Sequence, residues 1–400
     1  NREQFAPRLS GNADAILIEN WFYIDATTNI SQNQASPFVS GGGDSFDRTG
    51  NTNTTYDYTV SPYISRRLKD VALLNLRYTW DDQYNSTDIV GDSSQQSAQA
   101  SITSAGYDKL SWGIQGDYSK TDYSNTNITG PTNNNSELKS AQVNLGYQLS
   151  RVWQVNGFYG DEWNDFVSSR DDIDGTLWDA GLRWTPNSRT TVDAGVGHRC
   201  FGNNPRFSMT HRHKRSAFNA SYAKTLTYDR DIRTLPDNDL GNPGVPPPPG
   251  IDQDVTTISE SPILDERFTL GYSYQGRQGS FGVSAFQSEQ TQESDDPLTG
   301  FSKSTYRGVT ISVSRPLSQQ TSLNASASWD EQKPKNDDAN IIGSFIDESE
   351  TWQGSLGLTR QLSQRTNLGL NYQYTDRQSD NELNSYTENQ ITLDLTIELF

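Results

Sequence analysis

RQLSQRTNLGLNYQY, residues 360–374, decides the fold of this chain. From position 368 onward every second side chain is apolar, in the order Leu368, Leu370, Tyr372 and Tyr374. Small or polar side chains occupy the positions between them, so the period is two, which is that of a β-strand with two unlike faces. Residues 352–359 alternate in the same way, and a short polar turn separates the two stretches. The sequence therefore predicts a β-hairpin here.

Near-copies of this hairpin turn recur along the chain, as QLSRVW at 148–153, TPNSRT at 185–190 and PLSQQT at 316–321. Long hydrophilic and acidic stretches separate the hairpins. Short turns at one edge and long loops at the other are typical of bacterial outer-membrane barrels, where the short turns are periplasmic and the long loops extracellular. A soluble β-solenoid would instead show a short repeat of fixed length.

The composition is unusual for a soluble globular protein. Only 32% of the residues are hydrophobic, and the mean hydropathy is −0.78. Disordered chains share this polarity but are poor in aromatic residues, whereas this chain has 19 Tyr, 15 Phe and 9 Trp. A membrane β-barrel reconciles both facts, because only the outward face of each strand must be apolar.

We therefore predict an all-β protein, a transmembrane antiparallel up-and-down β-barrel of the bacterial outer membrane with roughly 18–22 strands. Residues 1–400 are expected to form a single barrel domain, with a long Pro-rich loop at 229–260. About 19 alternating segments can be counted, whereas bacterial single-chain barrels have an even number of strands. We expect that the chain lacks its extreme N-terminal segment.

Several classes of function are disfavoured. The formal net charge of −18 argues against nucleic acid. The single cysteine, Cys200, excludes an intrachain disulfide framework. The three histidines, His198, His211 and His213, lie in or beside one basic hairpin without accompanying metal ligands. We expect no enzymatic activity, no cofactor and no metal site.

Large aromatic residues fall near the predicted strand ends and share the phase of the apolar face. Membrane barrels carry aromatic girdles at both interfaces. Sugar-stacking platforms would require the rings to face the lumen, which this phase disfavours. The predicted girdle residues are Trp80, Trp178, Trp184, Trp329 and Tyr374.

The opposite phase of the strands supplies the predicted lumen lining, which is mostly amide and hydroxyl with a few charges of both signs. Such a wall offers many weak hydrogen bonds and no strong field, which suits a hydrated polymer that must bind and leave. It is equally what any water-filled lumen requires. The candidates are Asn75, Arg77, Gln115, Asp117, Gln142, Asn144, Gln148, Asp179, Arg183, Asp193, Arg199, Asn371 and Gln373.

Three stretches carry a resemblance to a known family: YTVSPYISRRLKDVALLNLRYTW at 58–80, LWDAGLRWTPNSRTTVDAGVGHRCFGN at 177–203 and FSMTHRHKRSAFNASYAKTLT at 207–227. The chain resembles the outer-membrane β-barrel family associated with PEP-CTERM/exosortase and exopolysaccharide loci. The resemblance implies a role in exopolysaccharide assembly or export across the outer membrane. Cys200 stands where an aromatic residue is more usual in that family.

The leading expectation is a passive outer-membrane channel for export of an exopolysaccharide. Two alternatives stay open: a general diffusion porin for small solutes, and a scaffold barrel that encloses a partner protein. The expected partners are outer-membrane lipid and lipopolysaccharide, the exopolysaccharide, periplasmic export proteins and the outer-membrane assembly machinery.

Overall fold

The computed structural model describes residues 9–34, 52–86, 92–106, 109–124, 135–166, 168, 170, 172–227, 263–292, 303–334, 348–380 and 382–397. These residues form twenty β-strands and one 3₁₀ turn, Glu382–Asn384. The strands are β1 (Leu9–Ile18), β2 (Phe22–Gln34), β3 (Thr52–Leu68), β4 (Ala72–Asn85), β5 (Asp92–Ser104), β6 (Leu110–Ser124), β7 (Ser136–Gln148), β8 (Trp153–Asp165), β9 (Gly175–Asn187), β10 (Thr190–Arg199), β11 (Gly202–Asn203), β12 (Arg206–His213), β13 (Ser216–Thr227), β14 (Ile263–Gln275), β15 (Ser280–Gln292), β16 (Lys303–Pro316), β17 (Thr321–Pro334), β18 (Ser349–Ser363), β19 (Thr366–Ser379) and β20 (Tyr386–Ile397). Within the described ranges, no helix is long and apolar enough to cross a membrane.

All of these strands belong to one antiparallel sheet in which each long strand pairs with the next one along the chain. The two-residue strand β11 and the strand β12 both pair with β10. Together, β11 and β12 therefore act as one interrupted strand beside β10. The result is a meander of nineteen long strands. The predicted fold class, an antiparallel up-and-down arrangement of this size, is confirmed.

The hairpin that decided the prediction is formed by β18 and β19. Leu358 pairs with Leu370, Leu356 with Tyr372, and Gly354 with Tyr374. The turn between the strands consists of Gln364 and Arg365. Most strands contain 13 to 15 residues, which exceeds the roughly 9–11 that cross a bilayer. The strands therefore extend beyond the hydrocarbon core.

The two edges of the sheet carry connections of different length. At one edge lie nine short turns, at 19–21, 69–71, 105–109, 149–152, 188–189, 214–215, 276–279, 317–320 and 364–365. At the other edge the strand ends are joined by nine segments that are mostly longer in sequence, namely 35–51, 86–91, 125–135, 166–174, 200–205 (which includes β11), 228–262, 293–302, 335–348 and 380–385. The short edge is called the turn side below and the other edge the loop side. The predicted Pro-rich loop, 229–260, lies outside the described residues.

The burial pattern is the reverse of that in a soluble protein. Among the described residues only eight apolar side chains are buried, against 22 polar or charged ones. Large apolar side chains in mid-strand stay exposed, for example Leu145 at 56% and Tyr159 at 65%. A continuous exposed apolar surface of this kind requires a lipid environment.

The first and last strands have an open side. In the part of the chain that the structure describes, β1 pairs only with β2, and β20 only with β19. Both strands run from the loop side to the turn side. An antiparallel closure between them therefore needs an odd number of intervening strands, whereas direct pairing would be parallel.

Candidate functional site

The face of the sheet opposite the exposed apolar residues is polar, and it faces the interior of a membrane barrel. Hydroxyl and carboxamide groups on neighbouring strands form hydrogen bonds with one another across this face. Ser65 Oγ donates to Asn75 Oδ1 at 2.8 Å, and the hydroxyls of Ser61 and Thr79 lie 2.9 Å apart. The polar face is therefore a hydrogen-bonded wall rather than a set of isolated groups.

The predicted lining residues of the first half share this face. Gln115 Nε2 donates to Asp117 Oδ2 at 2.9 Å, and Gln142 Nε2 donates to Asn144 Oδ1 at 3.1 Å. Gln115 and Gln142 are also direct cross-strand partners. These four side chains form one continuous patch on β6 and β7.

Other predicted residues are more scattered. Gln148 ends β7, and its amide donates to the carbonyl oxygens of Ser150 at 2.5 Å and Trp153 at 3.2 Å, so it stabilises a turn. Asn371 and Gln373 lie on β19 opposite Gly357 and Ser355. The period of two predicts that both side chains lie on the polar face. They lie on β19, away from the patch on β6 and β7.

The strongest polar cluster centres on Arg206 of β12. Its Nε and Nη2 donate to the two carboxylate oxygens of Asp179 at 2.9 and 2.8 Å, a bidentate pair. Its Nη1 donates to Asp193, whose second oxygen accepts a 2.9 Å hydrogen bond from Arg183 Nε. Asp179 and Asp193 are buried. Two arginines and two carboxylates thus form a neutral network on β9, β10 and β12.

Two glycines make room for this network. Asn156, Gly181, Gly195 and Arg206 are successive cross-strand partners on β8, β9, β10 and β12. The Arg206 side chain lies across both glycines, and its Nη2 reaches Asn156 Oδ1 at 3.3 Å. A Cβ on Gly181 would collide with the Arg206 guanidinium and lie 2.6 Å from Asn156 Oδ1. The glycines therefore allow one arginine to bridge four strands.

A second ion pair lies at the loop end of the same region. Arg199 Nη2 donates to Glu162 Oε2 at 2.8 Å, and the Cys200 backbone amide donates to Glu162 Oε1 at 2.6 Å. Burial, together with the Glu162 carboxylate, raises the pKa of the Cys200 thiol to about 12. Glu162 itself is only 1% exposed. Because water cannot solvate its carboxylate there, the ion pair with Arg199 compensates the buried charge.

An aromatic pair on the polar face escaped the sequence analysis. The rings of Tyr23 and Tyr63 stack at 4.9 Å, and the Arg77 guanidinium lies 4.2 Å from the centre of the Tyr63 ring. Arg77 Nη2 also donates to Asp25 Oδ2 at 2.9 Å. Tyr63 has the same phase in β3 as Ser61 and Ser65, and this phase is the sequence feature that predicts its position on the polar face.

Arg206 and Glu162 were missed as well. Each has the phase of a polar residue on its own strand, Arg206 that of Ser208 and Glu162 that of Asn156. Their importance comes from partners on other strands, which a period within one strand does not reveal.

The predicted girdle residues lie toward both ends of the strands. Trp80, Trp178 and Tyr374 lie on the exposed apolar face toward the loop side, and Trp184 lies near the turn side. Trp184 stacks on Trp153 at 5.6 Å. Trp329 is less exposed, and its Nε1 donates to Glu350 Oε1 at 2.6 Å.

No cluster of three or more His, Cys, Asp or Glu side chains in the described ranges has the geometry of a metal site. The interior arginines instead pair with carboxylates, as Arg267 does with Asp265 at 3.3 Å. Where the structure describes this face, its geometry offers hydrogen bonding and compensated charge.

Comparisons with known proteins agree with this fold. The family described as surface lipoprotein assembly modifier matches residues 260–399, about a third of the chain. No curated protein matches the sequence. The siderophore receptor PirA from Acinetobacter baumannii superimposes with a TM-score of 0.51 and 11% identity, covering 97% of this chain and 70% of the receptor.

The copper transporter OprC gives a TM-score of 0.50 with 12% identity, covering 98% of this chain and 70% of the transporter. This chain has an outer-membrane β-barrel fold. The exposed apolar surface fits the same location, and the predicted localisation in the bacterial outer membrane is confirmed. At this level of identity the likeness concerns the fold, and function must be argued from the polar face.

Proposed function

We propose that this barrel is a passive conduit by which an exopolysaccharide crosses the outer membrane. The observation that carries the proposal is the character of the polar face, where neutral amides and hydroxyls predominate and interior arginines pair with carboxylates. The predicted lining residues, among them Gln115, Asp117, Gln142 and Asn144, would form part of the pathway.

A glycan presents many hydroxyl groups and little apolar surface. It can exchange weak hydrogen bonds with such a wall, whereas a strong uncompensated field would hold it or exclude it. The protein would perform no covalent chemistry, and synthesis of the polymer in the periplasm would drive its movement. The resemblance of residues 58–80 and 177–227 to barrels encoded with exopolysaccharide loci supports this substrate class.

A proteoliposome assay tests the proposal. Vesicles containing the folded barrel and fluorescently labelled neutral glycans of graded length should release the glycans, and vesicles without protein should retain them. Release of short sugars alone, with a cut-off near a trisaccharide, would favour a general porin. Retention of every glycan by folded protein would favour a scaffold that encloses a partner.

A second candidate function rests on the family match at residues 260–399, which spans all of β14 to β20. On this proposal the barrel assists assembly of a lipoprotein at the cell surface. Co-expression with a surface lipoprotein, followed by protease treatment of intact cells, separates the two candidates. Surface exposure of the lipoprotein that depends on the barrel would favour the second candidate.

A further inference from the structure

Formal charge is divided unevenly between the two sets of segments that connect the strands. In sequence, the nine segments that join strand ends on the loop side contain 22 acidic and five basic residues. The turn rim, defined as the nine short turns with two flanking residues on each side, contains only Glu19, Asp70 and Asp108 as acids. It contains eleven cations, which are Arg67, Lys69, Lys109, Arg151, Arg189, Arg212, Lys214, Arg215, Arg277, Arg315 and Arg365. The turn rim therefore carries a formal charge of +8 on a chain whose net charge is −18.

The cations of the turn rim are open to a partner. All eleven are exposed. Within the described residues only Arg67 makes an ion pair, with Asp70 at 3.4 Å, and both of these side chains are well exposed. Exposed pairs of this kind contribute little stability. The rim charge is thus not neutralised within the barrel, unlike the charge of the polar face.

The turn rim lies at the level of a membrane interface. The Arg66 guanidinium stacks 4.0 Å from the centre of the Trp21 ring in the first turn. The stacked pair Trp153 and Trp184 lies beside two other turns, two residues from Arg151 and five from Arg189. Tryptophan side chains collect at the depth of lipid headgroups. The flanking cations are therefore within reach of lipid phosphates.

We propose that the turn rim binds the phosphate groups of anionic phospholipids in the leaflet that it faces. Arginine matches phosphate with two parallel hydrogen bonds, and lysine serves as a compact positive charge. The cations occupy eight of the nine turns, from Arg67 to Arg365, and so extend along nearly the whole turn side of the sheet. A docked protein would need a patch on one side, whereas annular lipid contacts the whole circumference.

Quenching of tryptophan fluorescence by brominated lipids tests the proposal with the intact protein. The barrel is reconstituted in phosphatidylcholine that contains brominated phosphatidylglycerol or, separately, brominated phosphatidylcholine. The relative binding constant should favour phosphatidylglycerol by about threefold or more at low salt and approach one in 1 M NaCl, where the screening length is about 3 Å. A constant near one at low salt would overturn the proposal.

A pair of variants locates the effect. The triple variant Arg212→Gln, Lys214→Gln, Arg215→Gln removes three rim charges and should lower the preference by about half. The matched control, Lys120→Gln, Lys303→Gln, Lys333→Gln, removes the same charge from partly exposed ion pairs outside the rim and should leave the lipid preference unchanged. Equal losses in both variants would contradict a specific role of the rim. A rim that ignores phosphatidylglycerol but is stabilised by soluble polygalacturonate would instead indicate capture of an acidic polymer.

Discussion

The guanidinium of Arg206 reaches the side-chain oxygen of Asn156, 3.3 Å away, across two intervening strands. The contact is possible because the residues directly between them, Gly181 and Gly195, have no side chains. Asp179 and Asp193, each two residues before one of these glycines, bind the same guanidinium. One arginine therefore ties together four strands of the barrel wall and is electrically compensated there.

Replacing the first of these glycines should disrupt the bridge. In Gly181→Ala the new methyl group occupies the place of the Arg206 guanidinium, so the arginine must move off Asp179 or Asn156. We expect a loss of about 1–3 kcal/mol in the free energy of unfolding, as for other overpacked sites. Urea-induced unfolding in lipid vesicles, followed by tryptophan emission, measures the change.

Gly354→Ala is the matched control, because it also adds one methyl group to a strand glycine but nothing lies within 4 Å of the new Cβ. Its free energy of unfolding should stay within about 0.5 kcal/mol of the unmodified protein. Equal effects of the two substitutions would show that Gly181 has no special packing role.

Removal of the arginine itself should cost more. Arg206→Gln removes the cation that pairs with the buried Asp179 carboxylate and one of the two cations that pair with Asp193, whose other partner is Arg183. Breaking a buried pair by removing one partner typically destabilises a protein by about 3–5 kcal/mol. Since Arg206 is about one-third exposed, we expect the lower part of that range, measured by the same urea titration.

Arg67→Gln provides the comparison for an exposed ion pair. Its partner Asp70 has a side chain that is 98% exposed, and such pairs contribute about 0–1 kcal/mol. A cost for Arg206→Gln no larger than that of Arg67→Gln would contradict the assignment of Arg206 as a bridge.

The single thiol should react slowly in the folded barrel. Cys200 lies in the connection after β10, where burial and then the Glu162 carboxylate raise the pKa of its thiol to about 12. The thiolate is the reactive form, so a raised pKa leaves little of it at pH 8. Alkylation by iodoacetamide at pH 8 should be at least about 100-fold slower than in urea, where the thiol pKa returns to about 8.5.

The rate should rise about tenfold per pH unit between pH 8 and 10, because each unit increases the thiolate fraction tenfold while the pH stays below the pKa. Glu162→Gln should increase the rate at pH 8, since it removes a negative charge beside the sulfur. Alkylation of folded and unfolded protein at the same rate would show that the thiol is neither buried nor influenced by Glu162.

The sequence predicted the elements whose signal is local. Leu368 to Tyr374 alternate within one strand, and the partner strand follows after a short turn, so the β18–β19 hairpin and its register could be expected. The face of Arg77 or Gln142 follows from the same period. The sequence alone therefore predicts the strands, the outward apolar face and the largely polar, uncharged character of the opposite face.

Contacts between strands were harder to anticipate. Arg206 meets Asp179 only because β9, β10 and β12 pair in one particular register, and a shift of two residues would preserve the alternation but break the network. Tyr63 has the phase of Ser61, but its stacking on Tyr23 depends on the pairing of β2 with β3. Local periodicity specifies a face, while the partner on that face depends on the register of the whole sheet.

The central claim, a hydrated conduit for a glycan, is tested most directly by single-channel current through the folded barrel in a planar bilayer, with polysaccharide added to one side. We predict a weakly selective current, because the interior arginines are paired with carboxylates, and interruptions that lengthen with the length of the glycan. Absence of current from folded protein, or a current that long glycans leave unchanged, would contradict the account.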